Sequence, residues 1–334
     1  MIFVYRLLTA SKAPLRTPIA PISLHELQAA RGRIAGTAVR TPLVRLQVDA
    51  PSEIYLKLET LQPIGSFKLR GALNAMRALP AEKLADGVYT ASAGNMAQGL
   101  AWAARELGVP CRVIAPDHAP RTKIEAIERL GASVRLIPFG DWWRAILDHE
   151  VPGERGTFIH PGADPMVIAG NGTIGLEILE DLPDADAILV PYGSGGLACG
   201  IACAAHAVRP ATRVYASELE GRAPFAASLA AGHATTIDYT ASFVDGMGGK
   251  SVLDEMWPLA KAVLAGSFTA TLRQVADAVR LLVERARVVA EGAGAAPVAA
   301  ALAHDIGARK IVCVISGGNI DTKKLATILA GEIP

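Results

Sequence analysis

The sequence predicts an α/β protein built on mostly parallel sheets flanked by helices. Three observations carry that class. Strand patterns and helix patterns alternate along most of the chain. The apolar runs 187–190 and 311–315 are continuous, as in strands covered on both faces. Small-residue turns follow strand patterns and lead into helices, as at 193–196. With 334 residues, 51% of them hydrophobic, the chain is long enough for two domains, or for one with a lobe inserted.

Taken in order, residues 1–23 are proline-rich and irregular and read as an arm lying on the surface or against a partner subunit. Segment 54–59 is strand-like and runs into a Gly65, Ser66 turn, after which a helix pattern begins at Lys68. A strand at 87–90 precedes a helix whose apolar positions Ala97, Leu100, Ala101, Ala104 and Leu107 keep helical spacing and which Gly108 and Pro110 close. Further strands are predicted at 111–115, 133–137 and 213–217, and helices at 121–130, 142–149, 173–180 and 272–288. Residues 152–156 read as a linker. The strand at 187–190 feeds a helix over 197–208, and the strand from 311 ends at Ser316.

Four places along this pattern can carry chemistry. Lys68 sits at a helix start, where the positive end of the helix dipole disfavours the ammonium form and leaves an amine able to condense with an aldehyde. The small-residue turn Ser92, Ala93, Gly94, Asn95, Met96 opens a helix, whose free N–H groups suit a carboxylate. Gly193, Ser194, Gly195, Gly196 and Leu197 lie between a strand and a helix and form a compact phosphate cup. Their glycines are too tightly spaced, and too deep in the chain, for a dinucleotide fingerprint. Ser316, at the carboxyl end of a strand, can face a heterocycle nitrogen. Each has a plain alternative: a surface lysine, an ordinary N-cap, a glycine turn with no ligand, a Ser-Gly-Gly turn. Together they supply an amine, a carboxylate cradle, a phosphate cup and a ring-nitrogen partner, the set that pyridoxal 5'-phosphate and an amino-acid substrate require.

With these residues in this order, the chain from about 24 to 328 resembles the fold-type II pyridoxal-phosphate enzymes of the serine/threonine dehydratase and serine racemase group, which share a tryptophan synthase β-like fold. Carried over by motif, the resemblance implies Lys68 as the Schiff-base lysine with Phe67 beside it, and residues 92–96 as the substrate carboxylate loop, with Asn95 also near the cofactor. It implies residues 193–197 around the phosphate, Ser316 at the ring nitrogen, and Gly246, in the 245–249 loop, over the cleft. Glu291 reads either as a wall beneath the ring or as a helix-end carboxylate. The implied lobes are 1–86 with 156–334, holding the cofactor, and a small mobile lobe over 87–155. The implied reaction is β-elimination from a β-hydroxy amino acid such as L-threonine or L-serine, giving a 2-oxo acid and ammonia, in a homodimer without a regulatory extension.

Departures from the group's pattern bear on substrate and metal. Met96 stands where histidine is usual, which places an apolar side chain in the carboxylate loop and opens the alternative of elimination or β-replacement on a less polar amino acid. Ser194 replaces a glycine and offers the phosphate a hydroxyl. Ala93 stands where the racemases carry a second serine, and a methyl group cannot move a proton, so racemisation is disfavoured. Many relatives hold a divalent cation near the residue matching Glu218; the second acid is missing here, with Glu220 as the one substitute, and no metal is expected. His118, His160 and Asp164 lie in loops and are not assigned to the chemistry.

A net charge of +1 gives no electrostatic case for nucleic acid or an anionic membrane, and no apolar run approaches a bilayer span of about 20 residues. The N-terminal segment lacks the basic start of a secretory signal. Cys111, Cys199, Cys203 and Cys313 all lie in apolar patterns and read as buried thiols, which fits a cytoplasmic protein. A reading from another class, a small-molecule sensor on the same scaffold, is disfavoured by intact Lys68, Asn95 and Ser316.

Overall fold

A computed structural model describes residues 16–334. Residues 1–15, the first part of the expected arm and the segment tested for a signal, lie outside the described residues; 16–23 carry no helix or strand. In chain order the structure then gives α1 (Leu24–Ile34), β1 (Leu43–Arg45), β2 (Glu53–Leu58), α2 (Lys68–Ala78), α3 (Ala81–Leu84), β3 (Val88–Ala91) and α4 (Asn95–Leu107). There follow β4 (Cys111–Pro116), α5 (Arg121–Arg129), β5 (Ser133–Ile137), α6 (Phe139–Asp148), β6 (Thr157–Phe158), α7 (Pro165–Asp181), β7 (Ala187–Pro191) and α8 (Gly196–Val208). The last third holds β8 (Arg213–Leu219), α9 (Pro224–Ala231), α10 (Trp257–Val263), β9 (Gly266–Ala270), α11 (Leu272–Leu281), α12 (Gly292–Ala303), β10 (Lys310–Ile315) and α13 (Thr322–Leu329).

The strands form two sheets. The larger runs β1-β2-β10-β7-β8-β9, and the smaller β5-β4-β3-β6. Every pairing is parallel except β1 with β2. The continuous apolar runs are the central strands: β10 lies between β2 and β7, with Val312 opposite both Tyr55 and Ile188, and all of β7 is buried. Helices cover both faces, as buried parallel strands require. One apolar cluster includes Val190, Val312 and the α7 and α8 side chains; another includes Leu56, Cys313 and the α12 alanines.

This topology positions the chemistry. β3, β7 and β10 end at Ala91, Pro191 and Ile315, and the three motif turns begin just beyond, at the carboxyl ends of parallel strands where α/β proteins bind ligands. Some elements differ from the sequence reading. α7 starts at Pro165, eight residues earlier than the pattern indicated, capped by the Asp164 carboxylate. It is buried on nearly all sides, so it has no polar face to give a periodicity. The helix expected over 272–288 changes at Leu282 into a π turn, and Arg287 then turns into the left-handed region. No helix among the described residues is long and apolar enough to cross a membrane.

Candidate active site

Residues 64–67 are stitched to the end of β10. Phe67 N–H donates to the Ser316 carbonyl at 2.9 Å, and Gly318 N–H donates to the Gly65 carbonyl at 2.9 Å. Gly65 holds φ +70°, and a Cβ there would lie 2.8 Å from Asn319 Oδ1, so the turn demands glycine. This anchors the first residue of α2, Lys68. Its Nζ donates to the Pro161 carbonyl and lies 5.2 Å from the Phe67 ring centroid. Burial pulls the Lys68 amine down to about 8, against the Glu291 charge, which raises it. The sequence argument assigned this effect to the helix end; the structure makes burial the leading cause.

Lys68, Phe67, Gly193, Ser194, Gly195, Gly196, Leu197, Gly246 and Ser316 all line a pocket of about 50 Å³. Gly195 takes φ +91°, and a Cβ on Gly196 would lie 2.5 Å from the Gly162 carbonyl, so a side chain at either position would close the turn. α8 begins here without a side-chain cap, which leaves its first N–H groups for an anion. Ser194 lines the same pocket, and its hydroxyl lies against the Gly162 backbone, in the space that a Cβ there would need. An amine, a strand-end hydroxyl and a glycine-lined helix N-terminus in one pocket fit a phosphorylated aldehyde with a ring nitrogen.

Phe67, Lys68, Gly193, Ser194 and Gly246 also line a larger cavity of about 440 Å³, bounded on its other side by Ser92, Ala93, Gly94, Asn95 and Met96. Here Gly94 N–H donates to Ser92 Oγ at 3.2 Å, and α4 starts at Asn95 without a side-chain cap. Asn95 Nδ2 donates to Glu291 Oε1 at 2.8 Å, while its Oδ1 accepts from Asn319 Nδ2 at 2.8 Å. Glu291 is the residue at the start of α12 and packs behind the lining: Cβ atoms added to Gly246 or Gly317 would lie 2.9 and 2.8 Å from Glu291 Oε1. Burial pushes the Glu291 carboxyl up to about 7, and the Asp245 charge adds to it; the Asn95 bond, Lys123 and Lys68 pull the other way. Met96 touches the cavity but is 2% exposed and packs with Leu73, Leu100 and Ile159. The apolar side chain of the carboxylate loop thus lines the cavity and packs into the core at once.

The residues left unassigned divide. His118 lines the large cavity. His160 Nδ1 accepts from the N–H groups of Gly162 and Ala163, at 3.0 and 2.6 Å, so Nε2 carries the proton and donates to the Ile146 carbonyl at 3.2 Å. His149 and Glu255 approach it closely enough to suggest a metal cluster, but both His160 nitrogens are spent. Asp164 caps α7. Glu218 lies outside the cavity linings and accepts from the N–H groups of Phe225 and Ala226, both at 2.9 Å, and from Ser267 Oγ at 2.7 Å; its carboxylate anchors α9. The sequence reading missed the aromatic wall of the cavity, Phe139, Trp142 and Trp143, although their spacing along one helix was visible.

Comparison with known proteins agrees with this geometry. Residues 34–317 match the family described as pyridoxal-phosphate dependent enzyme. The chain is 40% identical over 315 residues to an L-threonine ammonia-lyase of Thermotoga maritima, covering 92% of this chain and 78% of that protein. It is 36% identical over 318 residues to the L-threonine dehydratase catabolic TdcB of Escherichia coli, covering 92% and 96%. Among solved structures, a serine racemase from Dictyostelium discoideum superposes with a TM-score of 0.83 at 32% identity, over 90% of this chain and 100% of that one. A glycine-lined helix N-terminus, a half-buried lysine that makes no ion pair among the described residues and a match over most of the length converge, and the chain belongs to the pyridoxal-phosphate dependent enzymes.

Proposed function

We propose that this enzyme removes the β-hydroxyl and the amino group of a β-hydroxy amino acid such as L-threonine or L-serine, releasing a 2-oxo acid and ammonia. The observation that carries the reading is Lys68, an amine drawn down to about 8 inside the cavity that also holds the carboxylate loop. The printed activities of the Thermotoga and Escherichia relatives support it.

When bound, pyridoxal phosphate supplies the aldehyde and the electron sink. In the roles proposed, the N–H groups of residues 193–197 would hold its phosphate and Ser316 would meet its ring nitrogen. A hydroxyl is neutral, so Ser316 imposes no charge on that nitrogen, unlike a carboxylate. Phe67 and Glu291 would bound the ring, and Asn95, bonded to Glu291, would lie beside it. N–H groups of Ser92–Met96 grip the substrate carboxylate and fix the α-hydrogen toward one face. Lys68 Nζ removes that proton; about half of such an amine is neutral near pH 8. Ala93 offers no opposite-face proton carrier, which favours elimination over racemisation. Gly246 lines both pockets, and its missing side chain makes room for the Glu291 carboxylate.

The lobe division is part of the proposal: the described part of 1–86 with 156–334 as the larger lobe, and 87–155 as a mobile smaller one. The separate four-stranded sheet supports it, with its last strand, Thr157–Phe158, drawing the boundary slightly later. A homodimer in the cytoplasm completes it; four free cysteines suit a reducing compartment. The deciding experiment screens 2-oxo acid release from serine, threonine and other β-substituted amino acids. Release from none of them would overturn the reading.

A further inference from the structure

We propose that the aromatic face of α6 is the substrate side-chain subsite, and that the preferred substrate is a β-hydroxy amino acid bearing an aryl group on its β-carbon. This rests on the elimination reading and names the substrate class within it. Phe139, Trp142, Trp143 and Ile146 are spaced so that they share one helix face, and all four line the cavity that holds Lys68. The face is tied to the lysine through two short links. Lys68 Nζ bonds the Pro161 carbonyl, and the adjacent His160 bonds the Ile146 carbonyl at 3.2 Å.

The rings form a ladder. Centroids lie 5.5 Å apart for His118 and Phe139, 5.7 Å for Phe139 and Trp142 at 29°, and 6.4 Å for Trp142 and Trp143. These are the separations at which aromatic rings attract one another, so a further ring extends the ladder. Phe139 is 42% exposed, and Tyr239, which lines the same cavity, is 40% exposed. Large rings left uncovered in a concavity mark a place for an apolar ligand. Of the other lysines in the lining, Lys123 is paired with Asp245 at 2.9 Å and Lys250 is exposed, so neither is a buried cation dedicated to an acidic side chain.

The reaction balances without an added oxidant or reductant. The α-proton passes to Lys68 Nζ, and its bonding pair forms the Cα–Cβ double bond, conjugated with the ring. The Cβ–O pair leaves with oxygen, which takes up one proton, equal in number to the one removed from Cα, and departs as water. A second water hydrolyses the enamine, through its imine form, to an aryl 2-oxo acid and ammonia.

The test compares kcat/KM of the cofactor-loaded enzyme for 3-phenylserine, L-threonine and 3-hydroxyaspartate. The expected result is a preference for 3-phenylserine of about tenfold or more over threonine; a preference for threonine or for 3-hydroxyaspartate overturns the proposal. A second readout needs no turnover: L-phenylalanine titrated into cofactor-free protein should quench tryptophan fluorescence, and Trp142→Leu should weaken the response. If no amino acid is turned over, the elimination reading fails, and this titration still decides the aryl site, an absent response sinking it. Trp143→Leu should raise KM for 3-phenylserine more than for threonine, and Trp143→Phe, which keeps a ring, should restore most of the loss. Equal effects of the two substitutions would count against a ring-specific subsite.

Discussion

Lys57 and Lys68 are both drawn into the interior, and they meet opposite surroundings. Lys57, on β2, is 0% exposed; its Nζ donates to the Thr41 carbonyl at 2.6 Å and pairs with Glu177 at 2.7 Å. Glu177 also binds Arg70 at 2.6 Å, and Arg70 binds Glu59 at 2.8 Å, so two cations and two carboxylates close a buried network between β2, α2 and α7. Lys68 lies only two residues before Arg70 but meets a carbonyl and an aromatic ring, and makes no ion pair among the described residues. One short helix therefore carries a cation whose charge is answered and an amine whose charge is not. A partner turns a buried cation into a structural element; withholding one draws the amine toward its neutral, reactive form.

The strongest way to break this contrast is to remove each site's amine or its partner. Lys68→Ala should lower turnover by at least about 10³-fold and abolish borohydride-dependent labelling of this position by pyridoxal phosphate. Retained turnover or labelling would remove Lys68 from its role. Glu177→Ala should act on stability, because it strands Lys57 and one side of Arg70; breaking such a buried pair costs about 3–5 kcal/mol. Urea unfolding of the two variants should separate them, with a marked fall in midpoint for Glu177→Ala and a small change for Lys68→Ala. Equal midpoints would mean that the network contributes nothing to folding.

A smaller effect sharpens the chemical half of the contrast. If Lys68 is the one proton carrier at the substrate, its product is formed from one face only. Ala93 lines the same cavity, and Ala93→Ser adds a hydroxyl where the racemases of the resembling group carry one. A slow gain of D-serine from L-serine, followed by chiral chromatography, is expected at a rate well below elimination. Unchanged stereochemistry would show that a hydroxyl at this position cannot reach the α-carbon.

The split between the two lysines was half legible in the sequence. Lys68 was visible because its surroundings are local: a strand, a glycine turn and a helix start within a few residues. The strands before the 193–197 turn and Ser316 were visible because complete burial writes a continuous apolar run. The network around Lys57 was not, since Glu59, Arg70 and Glu177 come together only after α2 and α7 pack; no spacing records that. β6 has two residues and β1 has three, too few for any periodicity. Met96 was legible only in part, because a motif position gives chain order, not side-chain direction, and the fold packs this side chain into the core while leaving it at the cavity edge. The Trp142, Trp143 pair could be placed on a helix, but which cavity that helix would border is a tertiary fact.

The smallest effect concerns the acid whose charge acts on the reactive amine. Below about pH 8 Lys68 is mainly ammonium, and above it mainly neutral, so capture of pyridoxal phosphate by cofactor-free protein should quicken with rising pH and level off above that value. Glu291, itself near 7, is mostly ionised where Lys68 titrates, and its negative charge holds the proton on the amine. Glu291→Gln removes that charge while keeping a group able to meet Asn95. The midpoint of the capture profile should therefore move to lower pH. A shift to higher pH would mean that the carboxyl acts on Lys68 other than through its charge. Glu177→Gln, in the other region, should leave the midpoint where it is, because its charge belongs to the Lys57 and Arg70 pairs and is not among the influences on Lys68. If both substitutions moved the profile alike, the two buried lysines would share one electrostatic environment, and the distinction between an answered charge and an unanswered one would fail.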